Sequence, residues 1–358
     1  MDDCQTRPAA LAAYARAAPK AELHVHLEGA IRPATLLELA RRNGVPLPAR
    51  NLEELRRWFV YRDFDHFVEI YIAISRCLRT AADYEFVVHE FGAELARQNV
   101  RYAEVTFSPA THQVLGVPQD AWFSGLTRGR ARVRAEFGVE IAWVFDISRK
   151  TKDPSRTRPM ADYTTAVAIE GRGDGVVALG LGGIEAGGPP EPFAPWFARA
   201  RAAGLHSVPH AGEHAGPESV WGAIRALGAE RIGHGVRAIE DPRLVAYLAE
   251  HRIPLEVSPT SNVLLGVAPS LAEHPFPRLH AAGVVLTINS DDPPLFNTTL
   301  NDEAALLADP FGLDIAAIDE VLLNAVRHSF QPPDRRRAME AAFAAELAAL
   351  KSTLPDAG

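Results

Sequence analysis

Cysteine is nearly absent from this chain of 358 residues. Cys4 and Cys77 cannot form a disulfide framework or a zinc site built from thiolates, so we expect free thiols in a reducing compartment. The chain also lacks an apolar run long enough to span a membrane. Its N-terminal stretch lacks the continuous apolar segment of a secretion signal. These absences predict a cytoplasmic protein.

A basic surface suited to nucleic acid is lacking as well. Lys and Arg total 37 against 45 Asp and Glu, which gives a net charge of -8, and the basic residues do not cluster in a stripe. We therefore expect no nucleic-acid partner and no membrane partner. A small neutral or cationic substrate fits the charge balance better. The sequence gives no indication of the oligomeric state.

Short apolar or β-branched runs recur along the chain and end abruptly at polar or glycine residues. This pattern is typical of strands buried on both faces. Helix-like segments separate consecutive runs, and the alternation predicts an α/β fold, a (β/α)8 barrel of the TIM type, rather than an open doubly wound sheet. The runs begin at Glu22, Val100, Glu140, Val176, His206, Arg231, Pro254 and Val284.

The spacing of these runs also predicts the domain organisation. No linker-like stretch divides the chain, so we expect residues 1–358 to form a single domain. The gap between the first two runs is the longest and contains "LRRWFVYRDFDHFVEIYIAIS" from Leu55, which predicts extra helices after the first strand. These inserted helices could form a lid. Residues 332–358 predict a C-terminal helix.

Polar residues gather at the C-terminal ends of the runs, where barrel enzymes build their active sites. In "PKAELHVHLEG", His24 and His26 are two positions apart, so both point to the same side of a strand. A single histidine there is usually a hydrogen-bonded core residue, but a pair at a barrel mouth favours metal binding. Candidates for the remaining ligands stand at other strand ends: His210 in "PHAGE", His234 in "IGHG", and Asp291 and Asp292 in "NSDDP".

Three imidazoles and one carboxylate suit Zn2+, which leaves a coordination position for water and activates it near neutral pH. Glu213, three residues after His210, is placed to act as the general acid or base. A second metal bridged by a modified lysine is not expected, because the fourth run contains no lysine. We therefore predict one Zn2+ per chain.

Several of these motifs resemble the adenosine deaminase family, the purine branch of the amidohydrolase barrels. They are "PKAELHVHLEGAIRPATL", "HAGEHAGPESVWGAIRALGAERIGHGVRAIED", "SPTSN" and "NSDDP", and the resemblance runs from about Pro19 to about Gln331. It implies a zinc-dependent aminohydrolase that converts a 6-aminopurine nucleoside into the 6-oxopurine and ammonia. The zinc ligands that it implies are His24, His26, His210 and Asp291.

The resemblance also implies roles around the purine. Glu213 would protonate N1, while His234 and Asp291 would orient the attacking hydroxide at C6. Asp292 would hydrogen-bond N7, and the backbone N–H of Gly183 would reach N3. Proton transfer to the ring is required because addition at C6 breaks its conjugation and develops charge.

The motifs depart from the adenosine-specific pattern in ways that bear on the substrate. Glu28 in "HLEG" stands where those enzymes have an aspartate that meets the ribose 5′-hydroxyl. The "GLGGIE", "HSVPHAGE" and "INSDDPPLF" motifs resemble a bacterial subgroup that deaminates 6-amino-6-deoxyfutalosine, an adenosine with a large aromatic acid on C5′, in menaquinone synthesis. The glutamate is also typical of adenine deaminases, so adenosine, a 5′-substituted adenosine and free adenine all stay open.

The family covers the nucleoside sugar with an aromatic helix after the first strand. Trp58, Phe59, Tyr61 and Phe64 would form that lid here, although their helical spacing equally suits an amphipathic helix with its aromatics in the core. The cation expected beside a 5′-carboxylate is one of Arg32, Arg62, Arg149 and Lys152.

Two other functional classes compete with a deaminase. Metal-dependent phosphoester or lactone hydrolases also carry a histidine pair on the first barrel strand. That class does not account for Glu213 three residues after His210, nor for the adjacent Asp291 and Asp292. A binding protein that has lost activity would lack a ligand or the acid, and none is missing.

Overall fold

Eight parallel strands form a barrel in the computed structural model, which describes residues 3–60, 64–149 and 154–354. Each strand pairs with the next in chain order, from β1 to β8. Asp291, just after β8, closes the ring through backbone hydrogen bonds to both His24 and His26 in β1. The predicted barrel is confirmed. The strands are β1 (Lys20–His26), β2 (Val100–Phe107), β3 (Glu140–Ser148), β4 (Val176–Gly182), β5 (His206–Ala211), β6 (Ile232–His234), β7 (Leu255–Val257) and β8 (Leu286–Ile288).

Helices surround the barrel, and they include the predicted insertion and the predicted C-terminal helix. Helices α2 to α4 lie between β1 and the crossover helix α5, and α17 follows the last crossover. The helices are α1 (Asp3–Ala17), α2 (Pro33–Asn43), α3 (Leu52–Trp58), α4 (Phe64–Ser75), α5 (Ala81–Arg97), α6 (Pro109–Val114), α7 (Gln119–Phe137), α8 (Thr157–Glu170), α9 (Ala194–Ala202), α10 (Pro217–Gly222), α11 (Pro242–His251), α12 (Pro259–Leu264), α13 (Phe276–Ala281), α14 (Pro293–Phe296), α15 (Leu300–Leu306), α16 (Ile315–Arg327) and α17 (Pro333–Lys351).

The first helix, α1, is an element that the sequence patterns did not predict. It contains Pro8, which interrupts helical patterning. Its buried Tyr14 hydrogen-bonds Asp319 on α16, so the helix is held by a contact far along the chain. Among the described residues, no helix has both the length and the apolar character needed to cross a membrane.

Alternation along the strands separates an outer apolar layer from the barrel interior. In β3, Trp143, Phe145 and Ile147 belong to the large core beneath the helices. Val144 belongs instead to a small apolar cluster with Ala178 of β4, inside the barrel. Successive side chains of a strand point to opposite faces, so Asp146 also points inward.

Part of the barrel interior beneath the mouth is charged. Arg231, only 1% exposed, donates to the carboxylates of Glu104 and Glu256, at 2.6 Å in the latter case. Glu256 in turn lies 2.9 Å from Nδ1 of His24. Burial alone would raise the pKa of Glu256. The Arg231 charge and the His24 hydrogen bond outweigh burial, so that the pKa of Glu256 is lowered. Buried charges of this kind are stable only as a complete set.

Removing the central cation should therefore destabilise the protein. Arg231→Met leaves Glu104 and Glu256 buried without a cation, and we expect the free energy of unfolding to fall by about 3 to 5 kcal/mol, measured by urea denaturation. Arg327→Met is the control, because Arg327 pairs with Glu340 at the surface, with both side chains over a third exposed. That variant should change stability by about 1 kcal/mol or less. Equal losses in the two variants would contradict the role of the buried network.

Candidate active site

Donor atoms from three parts of the chain meet at the C-terminal mouth of the barrel. His24 and His26 end β1, His210 lies in β5, and Asp291 follows β8. One ligand atom from each residue lies within 4.8 Å of the others. Nε2 of His26 is 3.2 Å from Nε2 of His210 and 3.3 Å from Oδ1 of Asp291. The structure thus brings together all four residues predicted as metal ligands.

The separations within this cluster fit the donors of a single cation. With ligand bonds of about 2.0 to 2.1 Å, donor atoms that are neighbours around one ion lie about 3 to 3.5 Å apart. The separations from Oδ1 of Asp291 are 3.5 Å to Nε2 of His24 and 3.3 Å to Nε2 of His26. Nε2 of His24 is buried and has no hydrogen-bond partner among the described residues. Three nitrogens and one carboxylate oxygen form a donor set that suits zinc.

Outer contacts orient these ligands. Nδ1 of His24 is 2.9 Å from Oε2 of Glu256, the arrangement that fixes the tautomer of a metal-binding histidine. Oγ of Ser261 donates to Oδ2 of Asp291 at 2.7 Å. Burial alone would raise the pKa of Asp291, but the neighbouring imidazoles of His24 and His26 hold that pKa well below its usual value.

Glu213 and His234 stand beside the same carboxylate. Nε2 of His234 lies 3.7 Å from Oε1 of Glu213 and 3.9 Å from Oδ2 of Asp291. Nδ2 of Asn262 contacts Nδ1 of His234 at 3.2 Å, and Oδ1 of Asn262 contacts Nε2 of His274 at the same distance. With this amide orientation, His234 accepts on Nδ1 and carries its proton on Nε2. Burial lowers the pKa of His234, which favours this neutral form.

The backbone of the site is strained at two of these residues. His234 has φ 60° and Asp291 has φ 64°, in the left-handed region that residues other than glycine rarely adopt. Such strain persists where the surrounding structure holds it, often at functional sites. Gly29 is required for a different reason, since a Cβ there would lie 1.5 Å from Oδ1 of Asp292. The glycine of "HLEG" therefore allows Asp292 to approach β1.

Glu185 holds the turn that carries Glu213. Its carboxylate is 4% exposed and accepts four backbone hydrogen bonds, from the N–H groups of Gly212 at 2.6 Å, Glu213 at 3.0 Å, His214 at 2.8 Å and Ala215 at 2.9 Å. Sequence patterns did not identify this residue. Its only signal was an acidic residue three positions after the end of the fourth strand, in "GGIE".

Two of the four cations predicted to meet a 5′-carboxylate lie in the part of the chain that the structure describes, and both already bind other protein groups. Arg149 is 3% exposed and donates to the backbone carbonyls of His210 and Gly188. Arg32 lies at the surface with two glutamates on α5. Arg62 and Lys152 lie outside the described residues.

Glu28 lies at the base of the mouth and is held by hydrogen bonds that the sequence patterns did not predict. It is fully buried, and its Oε1 accepts from Nε2 of His112 at 3.0 Å and from the backbone N–H of Ser108 at 3.2 Å. Nδ1 of His112 is 2.7 Å from the Tyr84 hydroxyl. Burial alone would raise the pKa of Glu28, but the His112 contact outweighs burial and lowers that pKa. His112 lies in a short helix after β2, a position to which we assigned no role.

The remaining predicted substrate contacts lie on opposite sides of the mouth. Gly183 follows β4 with φ 84°. Asp292 follows Asp291 and is 4% exposed, and its Oδ1 has no hydrogen-bond partner among the described residues. Burial, together with the Asp291 charge, raises the pKa of Asp292 well above its usual value.

The predicted aromatic lid is only partly described. Phe59 lies in the apolar core, Trp58 packs against that core, and Tyr61 lies outside the described residues. Phe64 begins α4, and a lid formed by the four residues stays a prediction. The same helix reaches the site through Tyr71, whose ring centroid is 6.4 Å from that of His26.

Tyr71 lies near the acidic side of the mouth, next to the ring of His26. Burial and then the carboxylates of Glu28 and Asp292 raise the pKa of the Tyr71 phenol. Sequence patterns did not single out this tyrosine, because it follows ordinary helical spacing in α4.

Known proteins with similar sequences share most of this chain. The family model described as "Adenosine deaminase" matches residues 19–345. An aminodeoxyfutalosine deaminase of Streptomyces avermitilis is 45% identical over 314 residues, which cover 87% of this chain and 86% of that protein. An adenine deaminase of Cupriavidus necator is 39% identical over 327 residues, covering 91% and 92%.

Solved structures show the same architecture. The adenine deaminase from Arthrobacter aurescens superposes with a TM-score of 0.86 at 30% identity, over 92% of this chain and 99% of that one. An amidohydrolase from Burkholderia ambifaria with bound Zn also gives a TM-score of 0.86 at 30% identity, over 97% and 95%. The predicted family and enzyme class, a hydrolase of C–N bonds, are thereby confirmed. Sequence, fold and the arrangement of the mouth agree that this chain belongs to the adenosine deaminase family.

Proposed function

We propose that this protein is a zinc-dependent deaminase of a 6-aminopurine nucleoside, either adenosine or a 5′-substituted adenosine such as 6-amino-6-deoxyfutalosine. The observation that carries the proposal is the convergence of four metal-type donors with Glu213 and His234 at one barrel mouth. Identity to the aminodeoxyfutalosine deaminase of Streptomyces avermitilis, at 45%, exceeds identity to the adenine deaminase of Cupriavidus necator, at 39%. Free adenine is the second candidate, because adenine deaminases are also close relatives.

The ion would be held by His24, His26, His210 and Asp291. When bound, Zn2+ lowers the pKa of water, so that a hydroxide nucleophile forms near neutral pH. Glu256 would keep His24 in the tautomer that exposes Nε2 to the ion, because it contacts the opposite ring nitrogen at 2.9 Å.

Asp291 and His234 would orient the attacking oxygen toward C6. Oδ2 of Asp291 and Nε2 of His234 are 3.9 Å apart, so both can contact one oxygen atom between them. The Nε2 proton of His234 points at the negative charge that develops there, and the Asn262 contact keeps that proton in place. Contacts with Asn262 and Ser261 hold His234 and Asp291 in place before the substrate arrives.

Glu213 would move the proton. Its carboxylate would take a proton from the attacking water and deliver it to N1, as C6 becomes tetrahedral and ring conjugation is lost. The remaining proton on the added oxygen then passes to the amino group, so that the C6–N bond breaks, ammonia leaves and the C6=O bond of the 6-oxopurine forms. The four N–H contacts to Glu185 would keep the Glu213 turn from moving during this transfer.

Asp292 and Gly183 would hold the purine in the plane that this chemistry requires. Asp292 would hydrogen-bond N7 and the backbone N–H of Gly183 would reach N3, at opposite edges of the ring. Together with Glu213 at N1, they would place C6 beside Asp291 and His234. Fixed contacts at three edges favour one orientation of the base.

Metal content tests the proposed ligands. His24→Ala removes one donor of the set, and we expect the purified protein to contain far less than one zinc ion per chain by elemental mass spectrometry. His89→Ala is the matched control, because His89 lies on α5 and pairs with Glu136 away from the site. Full zinc occupancy in His24→Ala, equal to that of the control, would contradict the assignment.

Turnover tests the role of Glu213. Glu213→Gln keeps the shape of the side chain but cannot carry the proton, so kcat should fall about 10²- to 10⁴-fold while zinc content is unchanged. The assay follows ultraviolet absorbance with adenosine, adenine and 6-amino-6-deoxyfutalosine. Glu218→Gln, an exposed glutamate on α10, should retain the parent rate. A Glu213→Gln enzyme with most of its activity would sink the proton-transfer role.

A further inference from the structure

The proposed orientation of the purine fixes where N9 must lie, so the inference below rests on the proposed function. Glu213 follows β5, Gly183 follows β4 and Asp292 follows β8. The strands succeed one another around the barrel in chain order. N9 lies between the N3 and N7 edges of the ring, on the side away from N1. It therefore faces the arc formed by the ends of β1, β2 and β3.

That arc carries an acidic residue to which the mechanism gives no role. Asp146, in β3, is 6% exposed and accepts a hydrogen bond from Oγ of Ser108 at 2.6 Å. It pairs in register with Gly180 of β4. A Cβ on Gly182 would lie 2.5 Å from Oδ2 of Asp146, so the glycine leaves room for the carboxyl inside the barrel.

A second carboxylate on the arc has one oxygen without a hydrogen-bond partner among the described residues. Glu28, after β1, is fully buried, and its Oε2 has no hydrogen-bond partner among the residues that the structure describes. Ser108 cannot supply one, because its hydroxyl already donates to Asp146 and its backbone N–H to Glu28. A buried acceptor without a donor is destabilising, and more so when it is charged. The arc thus presents acceptors that a ligand can satisfy.

The two candidate substrates differ in the donors that they bring to this arc. Free adenine offers a single N–H at N9, enough for one carboxylate. A nucleoside offers sugar hydroxyl groups, which can donate to separate acceptors at once. A site built to hydrogen-bond a substrate hydroxyl strongly rejects an analogue that lacks it.

We propose that Asp146 is a specificity-determining residue that accepts a hydrogen bond from a sugar hydroxyl on N9, so that the site selects nucleosides over the free base. Glu28 supplies the neighbouring acceptor. The carboxyls of Glu28 and Asp146 also repel an anion, so any carboxylate on C5′ points away from this arc toward the open mouth.

Substrate selectivity is the measurement that tests this proposal. In the parent enzyme, kcat/KM for adenosine should exceed kcat/KM for adenine. Asp146→Asn should lower that ratio by about tenfold, because the amide oxygen is a neutral and weaker acceptor than the carboxylate and the amide NH2 cannot accept at all. Asp162→Asn is the matched control, because Asp162 is exposed on α8 and accepts from Trp196. In Asp162→Asn, the ratio of kcat/KM for adenosine to kcat/KM for adenine should equal that of the parent enzyme.

Deoxynucleosides provide a second readout that does not require a folded variant. The 2′-, 3′- and 5′-deoxyadenosines are each compared with adenosine on the parent enzyme, and at least one missing hydroxyl should lower kcat/KM about tenfold or more. In Asp146→Asn, that same substrate should lose less relative to adenosine than it does in the parent enzyme. This coupling distinguishes direct contact from a general disturbance of the site.

Three results would overturn the proposal. Parallel losses for adenosine and adenine in Asp146→Asn would make Asp146 a structural residue. A parent enzyme that prefers adenine to every nucleoside would refute nucleoside selection while leaving the deaminase intact. A parent enzyme that deaminates no 6-aminopurine would refute the proposed function itself, and this inference with it.

Discussion

A buried network of charged and polar side chains fixes the relative positions of the strands at the centre of this barrel. Glu104, Arg231, Glu256 and His24 contact one another in that order, across four different strands or strand ends. Each member would be costly to bury alone, so the set is stable only when all the strands are in register. The orientation of His24 follows from this network, and the remaining metal donors are arranged around it.

The opposite side of the mouth is held by backbone contacts rather than by ion pairs. Glu185 collects four N–H groups of the turn after β5, and Arg149 donates to the carbonyl of His210 at the end of that strand. One donor and one acceptor side chain thus fix the segment that carries both a metal ligand and Glu213. Positions held in this way need no rearrangement during the reaction, which is the main source of electrostatic catalysis.

Sequence patterns located the strands and the residues at their ends well, because both depend on local order. The His24 and His26 pair and the aspartates after β8 stand at C-terminal strand ends, where the barrel architecture alone predicts convergence. Strand lengths were predicted less well. The strand β6 spans only Ile232–His234, whereas the apolar run "RIGHGV" that predicted it begins at Arg231.

Residues that act through partners distant in the chain were not predictable from local patterns. Glu185 acts on a turn 27 or more positions later, and His112 supports Glu28 from 84 positions away. Asp146 is visible as a site residue only once Ser108 and Gly182 are placed beside it. The left-handed backbone of His234 likewise has no local cause, because the surrounding fold imposes it.

The central claim is that one metal ion is held by two imidazoles of β1, one of β5 and the carboxylate after β8. Anomalous X-ray diffraction from crystals of the purified protein, recorded just above and just below the zinc absorption edge, tests it most directly. We expect one peak, present only above the edge, at about 2.0 to 2.2 Å from His24, His26, His210 and Asp291. A well-ordered mouth whose imidazoles point away from Asp291, or active crystals with no peak at this position, would contradict the account.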